Sequence, residues 1–179
     1  MSDFSLWTSE KRLLRLAKKG DTKAVKDLME LLLKPAHSLA WRILRNEAEA
    51  EEVIQEAIFK LWRSSDSFQG NSSLRTYFFK IVMRECYSCI KLKKQHEQIE
   101  TIFKNESEVS SFEIDLKMHQ DMVQQALDSL TSKQRMALVL WAFHEMTAPE
   151  IGDVMDLNKN AVDQLLWRAK SSFREKLAG

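Results

Sequence analysis

Apolar residues recur every three or four positions along most of this chain, a spacing that places them on one face of an α-helix. The pattern is clearest between positions 50 and 62, where it comprises Ala50, Val53, Ile54, Ala57, Ile58, Leu61 and Trp62. Only 4 glycines and 2 prolines interrupt the 179 residues, and runs of β-branched residues are few. The sequence therefore predicts an all-α fold.

Glycine, proline and capping residues divide the first half of the chain into helices. Gly20 and Asp21 join a C-cap glycine to an N-cap residue, so one helix is expected to end there and the next to begin. The polar stretch 64–73, with Gly70 as its pivot, predicts a loop. Around these breaks we expect helices over residues 9–19, 22–35, 38–45, 48–63 and 74–94.

The second half of the chain begins with an acidic segment and continues with sharply bounded helices. Capping boxes begin at Thr131 and Thr147, and Asn158 can cap a last helix. A short helix, a tight turn near 156–157 and a longer helix form the helix-turn-helix pattern. The last helix keeps one apolar line of Ala161, Leu165, Ala169, Phe173 and Leu177. We expect two small helical domains, 1–94 and 121–179, joined by an acidic linker, 95–120.

The charge balance limits what the chain can bind as a whole. Its formal net charge is +1, so any nucleic-acid binding has to come from local patches. No apolar run approaches the roughly 20 residues of a membrane span. The first residues also lack the pattern of a signal peptide. We expect a soluble, cytoplasmic protein.

Candidate catalytic and metal-binding residues are few. Cys86 and Cys89 form a lone C-x-x-C, but helical projection places both beside Val82 and Ile90, which favours buried thiols and leaves a redox role as the alternative. The sequence has no glycine-rich phosphate loop. We therefore predict no catalysis, no cofactor and no metal site, since the histidines are scattered at His37, His96, His119 and His144.

An acidic helix face is the first candidate binding surface. Opposite the apolar stripe of residues 50–62 the sequence places Glu52, Gln55, Glu56 and Phe59. An aromatic side chain among acids is typical of a protein interface, and the negative charge suits a basic, helical protein partner rather than DNA. The alternative is an ordinary solvated acidic face.

A line of cations and aromatics is the second candidate surface. It follows helical spacings of three and four residues through Tyr77, Lys80, Arg84, Tyr87 and Lys91. Cations can follow phosphates while aromatic rings stack on unpaired bases, so this line predicts binding of single-stranded nucleic acid. The neighbouring serine-rich loop could hydrogen-bond a flipped base. The alternative is a solvated basic face.

The helix-turn-helix is the third candidate surface. Its last helix begins with Asn158, Lys159 and Asn160, which can reach base edges in a major groove, while Arg168 and Lys170 can contact phosphates. The alternative is a helical hairpin that serves only packing or dimerisation.

These features, in this order, resemble the extracytoplasmic-function group of bacterial RNA polymerase sigma factors. The run 49–62 is similar to that family's pattern D-A-E-D-L-V-Q-E-x-F-x-x-x-W, residues 68–70 to its F-x-G, and residues 130–135 to its L-P-x-x-x-R. Residues 150–152 and 167–170 fit the family's C-terminal domain. The resemblance covers about residues 10–94 and 121–177.

The resemblance implies a role for each surface. The acidic helix would dock on the clamp helices of the polymerase large subunit through Glu51, Glu52, Gln55, Glu56 and Phe59. The −10 element would be bound by Phe68, Gln69, Asn71, Ser72, Ser73, Tyr77, Lys80, Arg84, Tyr87 and Lys91. The −35 element would be bound by Asn158, Lys159, Asn160, Asp163, Gln164, Arg168 and Lys170. The implied partners are core RNA polymerase, promoter DNA and an anti-sigma factor.

Two positions of the last helix depart from the family pattern. The family usually carries a cation where this chain has Asp163 and Leu165. We expect Leu165 to pack in the core and Asp163 to face outward, which would weaken phosphate binding. The alternative function is a free-standing, dimeric helix-turn-helix regulator, which would leave the acidic face without a task.

Overall fold

The computed structural model describes residues 3–99, 122–123 and 125–178. Within these residues the regular structure is helical and there is no strand, which confirms the all-α prediction. Most of the predicted linker lies outside the described residues. The helices are α1 (Asp3–Lys18), α2 (Thr22–Leu44), α3 (Glu47–Ser64), α4 (Leu74–Ile99), α5 (Ser132–His144), α6 (Ala148–Met155) and α7 (Lys159–Ala178), with a 3-10 turn at Ser65–Ser67.

Helix α2 is continuous where the sequence predicted two helices. Pro35 lies inside it, and a proline removes one backbone hydrogen bond and usually breaks a helix. Here Leu32, Ala36 and Leu39 are buried on both sides of the proline. Their packing therefore holds the helix together despite the lost bond. The other bounds differ less: α1 begins six residues before the predicted start, and α4 continues to Ile99 rather than ending at Lys94.

Local capping fixes most helix ends as the sequence predicted. Asp21 accepts a hydrogen bond from the Ala24 N–H at 2.8 Å, and Gly20 has the positive φ of 87° expected of a C-cap glycine. Both predicted capping boxes, beginning at Thr131 and Thr147, are present. Asn158 accepts a hydrogen bond from the Ala161 N–H at 2.9 Å and so caps α7.

Helices α1 to α4 pack around one apolar core. Fully buried side chains from α2, α3 and α4 meet there, among them Leu28, Leu39, Leu61 and Phe78. Helix α1 also fixes the start of α4, because the Glu10 carboxylate accepts a hydrogen bond from the Leu74 N–H at 2.7 Å. This contact positions the loop between α3 and α4, where the predicted nucleic-acid residues begin.

Helices α5 to α7 pack against one another, and their buried side chains are continuous with the core of the first domain. Gly152 allows α6 to pack tightly against the following turn, since a Cβ atom there would lie 2.6 Å from the Leu157 carbonyl oxygen. The buried residues of α7 are Val162, Leu166 and Ala169. Of the predicted apolar line, Ala169 is buried, Leu165 and Phe173 are half-buried and pack against the core, and Leu177 is exposed.

The two domains contact each other through α2, α4, α5 and α6. His144 at the end of α5 packs edge-on against Phe79 of α4, with ring centroids 4.9 Å apart, and its carbonyl oxygen accepts a hydrogen bond from Arg75 at 3.1 Å. Burial lowers the pKa of His144 to about 4, with Arg75 and Arg42 adding to the effect. The ring is therefore neutral at pH 7.

Candidate protein and nucleic-acid interfaces

The acidic face of α3 is exposed along its length. Glu51, Glu52, Gln55 and Glu56 all face solvent, and Phe59 is 66% exposed at the end of the row. Glu56 forms an ion pair with Lys60 at 3.4 Å. Glu51 and Glu52 form no ion pair with any described residue. The face therefore offers uncompensated negative charge beside a large apolar side chain.

The glutamates at the start of α3 have partners that the sequence did not reveal. Glu49 pairs with Lys93 of α4 at 2.6 Å, and Glu47 pairs with His37 of α2 at 3.0 Å. Donor atoms of His37, Glu47 and Glu51 lie within 4.8 Å of one another, an arrangement that could hold a metal ion. These side chains are on the surface, where acidic groups commonly gather without a metal, and we assign them none.

The serine loop is more ordered internally than its composition suggested. The hydroxyls of Ser64, Ser65 and Ser67 donate to backbone carbonyl oxygens within the same turn, at 2.6–2.8 Å. Ser73 accepts a hydrogen bond from the Thr76 N–H at 3.0 Å and so caps α4. The exposed polar residues of the loop are Asp66, Ser67, Gln69 and Asn71, with Ser72 half-buried beside them.

Phe68 was predicted to contact the −10 element, and the structure places it in the core instead. It is 3% exposed and belongs to the core of the first domain, so it cannot present its ring to DNA. Tyr77 packs against it with ring centroids 5.1 Å apart, and the Tyr77 hydroxyl bonds to the Ser64 hydroxyl at 3.0 Å. Tyr77 therefore forms a wall of the surface rather than a free stacking platform.

The remaining cations and aromatics of α4 form one continuous surface. Tyr87 is 48% exposed, and Arg84 and Lys91 also face solvent. Between α4 and the serine loop lies a cleft of about 910 Å³, whose walls carry polar and cationic side chains together with Glu85 and Asp153. Its lining includes Arg63, Asn71, Ser72, Tyr77, Lys80 and Arg84. The cleft has the size and polarity to admit a nucleotide base.

Two of these cations already have an acidic partner from the second domain. Lys80 and Arg84 both contact the carboxylate of Asp156, which lies in the turn of the helix-turn-helix; the Arg84 contact is 3.0 Å. Asp156 was not among the residues predicted from the sequence to bind a partner. No sequence pattern within one domain could have revealed this contact, because it joins residues more than seventy positions apart.

The outer face of α7 carries the predicted −35 residues. Asn160, Gln164 and Arg168 are exposed, whereas the Asn158 side chain is used for capping. Asp163 faces outward as predicted and pairs with Lys159 at 2.7 Å, so these two charges largely compensate each other.

Trp167 and Trp141 form an aromatic surface that the sequence analysis missed. Trp167 is 71% exposed, and the Lys170 ammonium lies 3.3 Å from the centroid of a Trp141 ring. Lys170 is therefore held by a cation–π contact. The position of Trp167 outside the apolar line of α7 is the signal that could have identified it.

The cysteines show the environment of structural thiols. Cys86 is fully buried, and burial raises its pKa well above the ordinary thiol value. Cys89 is half-buried, and burial together with Glu49 also raises its pKa. Both thiols therefore stay protonated near neutral pH, which disfavours the redox alternative.

The architecture places the protein in the class of helical, DNA-binding transcription factors, with a helix-turn-helix as its second domain. Comparison with protein families makes the assignment specific. The family model described as sigma-70 region 2 matches residues 28–96, and that described as sigma-70, region 4 matches residues 120–172. The chain belongs to the sigma-70 family of RNA polymerase sigma factors, in its extracytoplasmic-function group.

Individual relatives agree with this assignment over nearly the whole chain. The extracytoplasmic-function RNA polymerase sigma factor SigW of Bacillus subtilis is 25% identical, with 93% of this chain and 96% of SigW covered. The sigma factor RpoE of Bartonella quintana, solved with the anti-sigma factor NepR, superposes with a TM-score of 0.72 at 22% identity, covering 88% of this chain and 98% of RpoE. CnrH, solved with the cytosolic domain of CnrY, also gives 0.72, at 20% identity and coverages of 94% and 97%.

The family assignment decides between the two candidate functions. A sigma factor binds core polymerase and promoter DNA and carries out no catalysis of its own. A free-standing dimeric regulator is not favoured, because both domains match sigma-factor regions. Among the described helices, none is long and apolar enough to cross a membrane.

Proposed function

We propose that each of the three surfaces binds a different partner during promoter recognition. The α3 face, through Glu51, Glu52, Gln55, Glu56 and Phe59, docks on core polymerase. The α4 face and the adjacent cleft hold the melted −10 strand, and α7 binds the −35 duplex. The observation that carries this proposal is the exposed row of α3, with Phe59 at 66% exposure beside Glu51 and Glu52, which form no ion pair with any described residue.

The polymerase contact follows from the chemistry of the α3 row. A negative surface attracts a basic partner and orients it, whereas a large apolar side chain supplies the burial that gives affinity. Phe59 stands at one end of the acids and can insert into an apolar pocket of the partner. The neighbouring Glu52 and Glu56 then meet cations around that pocket.

The −10 contact uses the side of the same domain that carries α4. Tyr87 supplies an exposed ring for stacking, and Arg84 and Lys91 supply cations for phosphates. Asn71, which lines the cleft, and the exposed Gln69 beside it can hydrogen-bond the edge of an unpaired base. Phe68 acts only indirectly, by packing behind Tyr77.

The −35 contact uses the exposed row of α7. Asn160 and Gln164 carry amides that can pair with base edges, and Arg168 is placed to hold a phosphate. Lys159 is largely compensated by Asp163, so most of the phosphate binding falls to Arg168. Trp167 beside it can pack against the sugar-phosphate backbone or against another protein.

The cellular setting follows by analogy with the structural neighbours. RpoE and CnrH were solved in complex with NepR and the cytosolic domain of CnrY. The neighbours' similar fold supports an anti-sigma factor as a regulator of this chain, acting in the bacterial cytoplasm. We also propose 1–94 and 121–179 as functional units, joined by the segment 95–120.

The test is transcription in vitro with core polymerase on a fragmented genomic library. We expect transcripts with defined 5′ ends that share two upstream elements at a fixed spacing, and none of these starts with core polymerase alone. Initiation without shared elements would contradict the proposal. Binding to palindromic duplex as a dimer, without polymerase, would instead support the free-standing regulator.

A further inference from the structure

One carboxylate of the second domain engages two cations of the predicted −10 surface. Asp156 Oδ1 accepts from the Lys80 ammonium, and Asp156 Oδ2 accepts from the Arg84 guanidinium at 3.0 Å. Both oxygens of a single side chain are therefore directed at neighbouring positions of one DNA-binding line.

The backbone places this carboxylate firmly. Asp156 ends α6 in the left-handed conformation, with φ of 56°, and its N–H bonds to the Gly152 carbonyl oxygen. The Leu157 N–H bonds to the same oxygen at 2.9 Å. These two hydrogen bonds fix the turn of the helix-turn-helix, and this turn holds the Asp156 carboxylate against α4. The hydrogen bond from Lys80 lowers the pKa of Asp156, with Arg84 adding to the effect, so the side chain is ionised at neutral pH.

Other contacts of the second domain lie along the same stretch of α4. Arg75 donates to the His144 carbonyl oxygen at 3.1 Å, and Phe79 packs edge-on against the His144 ring at 4.9 Å. A groove between the domains is lined by Met83 and Tyr87 on one side and by Met136 and Met155 on the other. The second domain therefore lies over the middle of the surface that the proposed function assigns to melted DNA.

Carboxylate and phosphate oxygens compete for the same donors. Both are anionic acceptors that bind lysine and arginine through charge-assisted hydrogen bonds. A cation that is paired with Asp156 has fewer free N–H donors with which to bind a phosphate. The domain that carries Asp156 also blocks the approach of a DNA strand. Exposed ion pairs are individually weak, so a partner that draws the domains apart can displace this one.

We propose that Asp156 is an autoinhibitory residue, which occupies Lys80 and Arg84 in the free chain and keeps the −10 surface closed until the second domain moves away. This inference rests on the proposed role of the α4 face in binding DNA. It assigns the turn of the helix-turn-helix a second task besides connecting two helices. It also explains why the turn carries an acid on a domain that itself binds DNA.

The direct test compares two variants of the full chain in the absence of polymerase. Asp156→Asn removes the charge and keeps a residue that tolerates the left-handed conformation. Glu175→Gln makes the same charge change on α7 and is the matched control, since Glu175 is exposed and, among the described residues, accepts a hydrogen bond from Ser171 and forms no ion pair. The probe is a fluorescein-labelled, random-sequence single strand of about 20 nucleotides, followed by anisotropy.

We expect Asp156→Asn to bind this strand at least about fivefold more tightly than the wild type, and Glu175→Gln to stay within about twofold. Adding both Lys80→Ala and Arg84→Ala to Asp156→Asn should remove the gain, because the two freed cations are its source. Equal affinities for Asp156→Asn and Glu175→Gln, with both variants folded by circular dichroism, would overturn the proposal.

A second measurement separates failure of this inference from failure of the proposed function. Lys80→Ala in holoenzyme should reduce promoter opening, followed by permanganate reactivity. If opening falls while Asp156→Asn leaves single-strand affinity unchanged, the α4 face binds DNA but Asp156 does not inhibit it. If opening is unaffected by Lys80→Ala and Asp156→Asn gains nothing, both the DNA role of Lys80 and the inhibition that rests on it are wrong.

Discussion

The α3 face and the α4 face belong to the same domain and were predicted from the same helical period. They differ in how far their charged side chains are already paired within the protein. On α3, Glu52, Gln55 and Glu56 are exposed to solvent. On α4, Lys80 and Arg84 are already paired with Asp156 of the second domain. On the proposed roles of the two faces, the polymerase surface is open in the free protein, whereas two cations of the DNA surface are occupied. We propose from this difference an order in which polymerase binds first and DNA second.

Replacement of Phe68 should have the largest effect on the free energy of unfolding. It tests whether Phe68 belongs to the core or to the DNA-binding surface. We expect Phe68→Ala to lower the free energy of unfolding by about 3–5 kcal/mol, because the ring is 3% exposed and packs on Tyr77. Urea denaturation of the full chain measures this. Gln69→Ala, at the exposed neighbouring position, should change stability by less than about 0.5 kcal/mol. A stable Phe68→Ala variant with impaired promoter opening would restore Phe68 to the DNA surface.

Charge reversal on α3 is the next largest expected effect. Glu52→Lys with Glu56→Lys should weaken binding to core polymerase by about 2 kcal/mol or more, or roughly 30-fold, without loss of helix, since both side chains face outward. Reversal of Asp27 and Glu30, two exposed acids on α2, makes the same change of charge elsewhere and is the control. If the two double variants bind core polymerase equally, the docking face lies elsewhere.

Removal of the exposed ring on α4 should affect DNA opening rather than assembly. Stacking on an aromatic side chain contributes about 1–3 kcal/mol per base, so Tyr87→Ala should reduce permanganate-detected opening by about fivefold or more. Ser88→Ala is the neighbouring control, because the Ser88 hydroxyl donates to the Arg84 carbonyl oxygen of its own helix and to no other residue that the structure describes. A pre-melted template should bind the Tyr87→Ala holoenzyme less tightly too. Unchanged opening in this variant would argue that stacking occurs on another residue.

The smallest expected effects concern α7. Arg168→Ala should lower the slope of log affinity against log salt by about 1, for all upstream sequences alike. Asp163→Asn should raise affinity modestly by releasing Lys159, whereas Asn160→Ala should alter sequence preference. Salt titrations of holoenzyme on intact and scrambled −35 elements measure all three. If scrambling makes no difference to any variant, α7 does not recognise bases.

The structural features that could be predicted from the sequence are those that depend on residues close together in the chain. The caps at Asp21, Thr131 and Asn158, and the apolar stripe of α3, depend on residues within one or two turns, and each was correct. The continuity of α2 through Pro35 depends on tertiary packing, which overrides the local preference of proline.

The candidate binding surfaces show the same contrast between local features, which could be predicted, and features that depend on tertiary packing, which could not. The exposed rows of α3 and α7 could be predicted, because helical period alone separates their outer and inner faces. Phe68 lay in a loop, where no period indicates which side chain turns inward. Asp156 could not be found from the sequence, since its importance depends on how the second domain sits on α4.

The most direct test of the proposed order is the affinity of this protein for the melted non-template strand of its own promoter, measured with and without core polymerase. A labelled strand spanning the −10 element, followed by anisotropy, should bind the holoenzyme at least about tenfold more tightly than the free chain. Reversal of Glu52 and Glu56 should abolish that gain at polymerase concentrations that saturate the wild type. If the free chain binds the strand as tightly as the holoenzyme does, the α4 face is open from the start and the proposed order of binding is wrong.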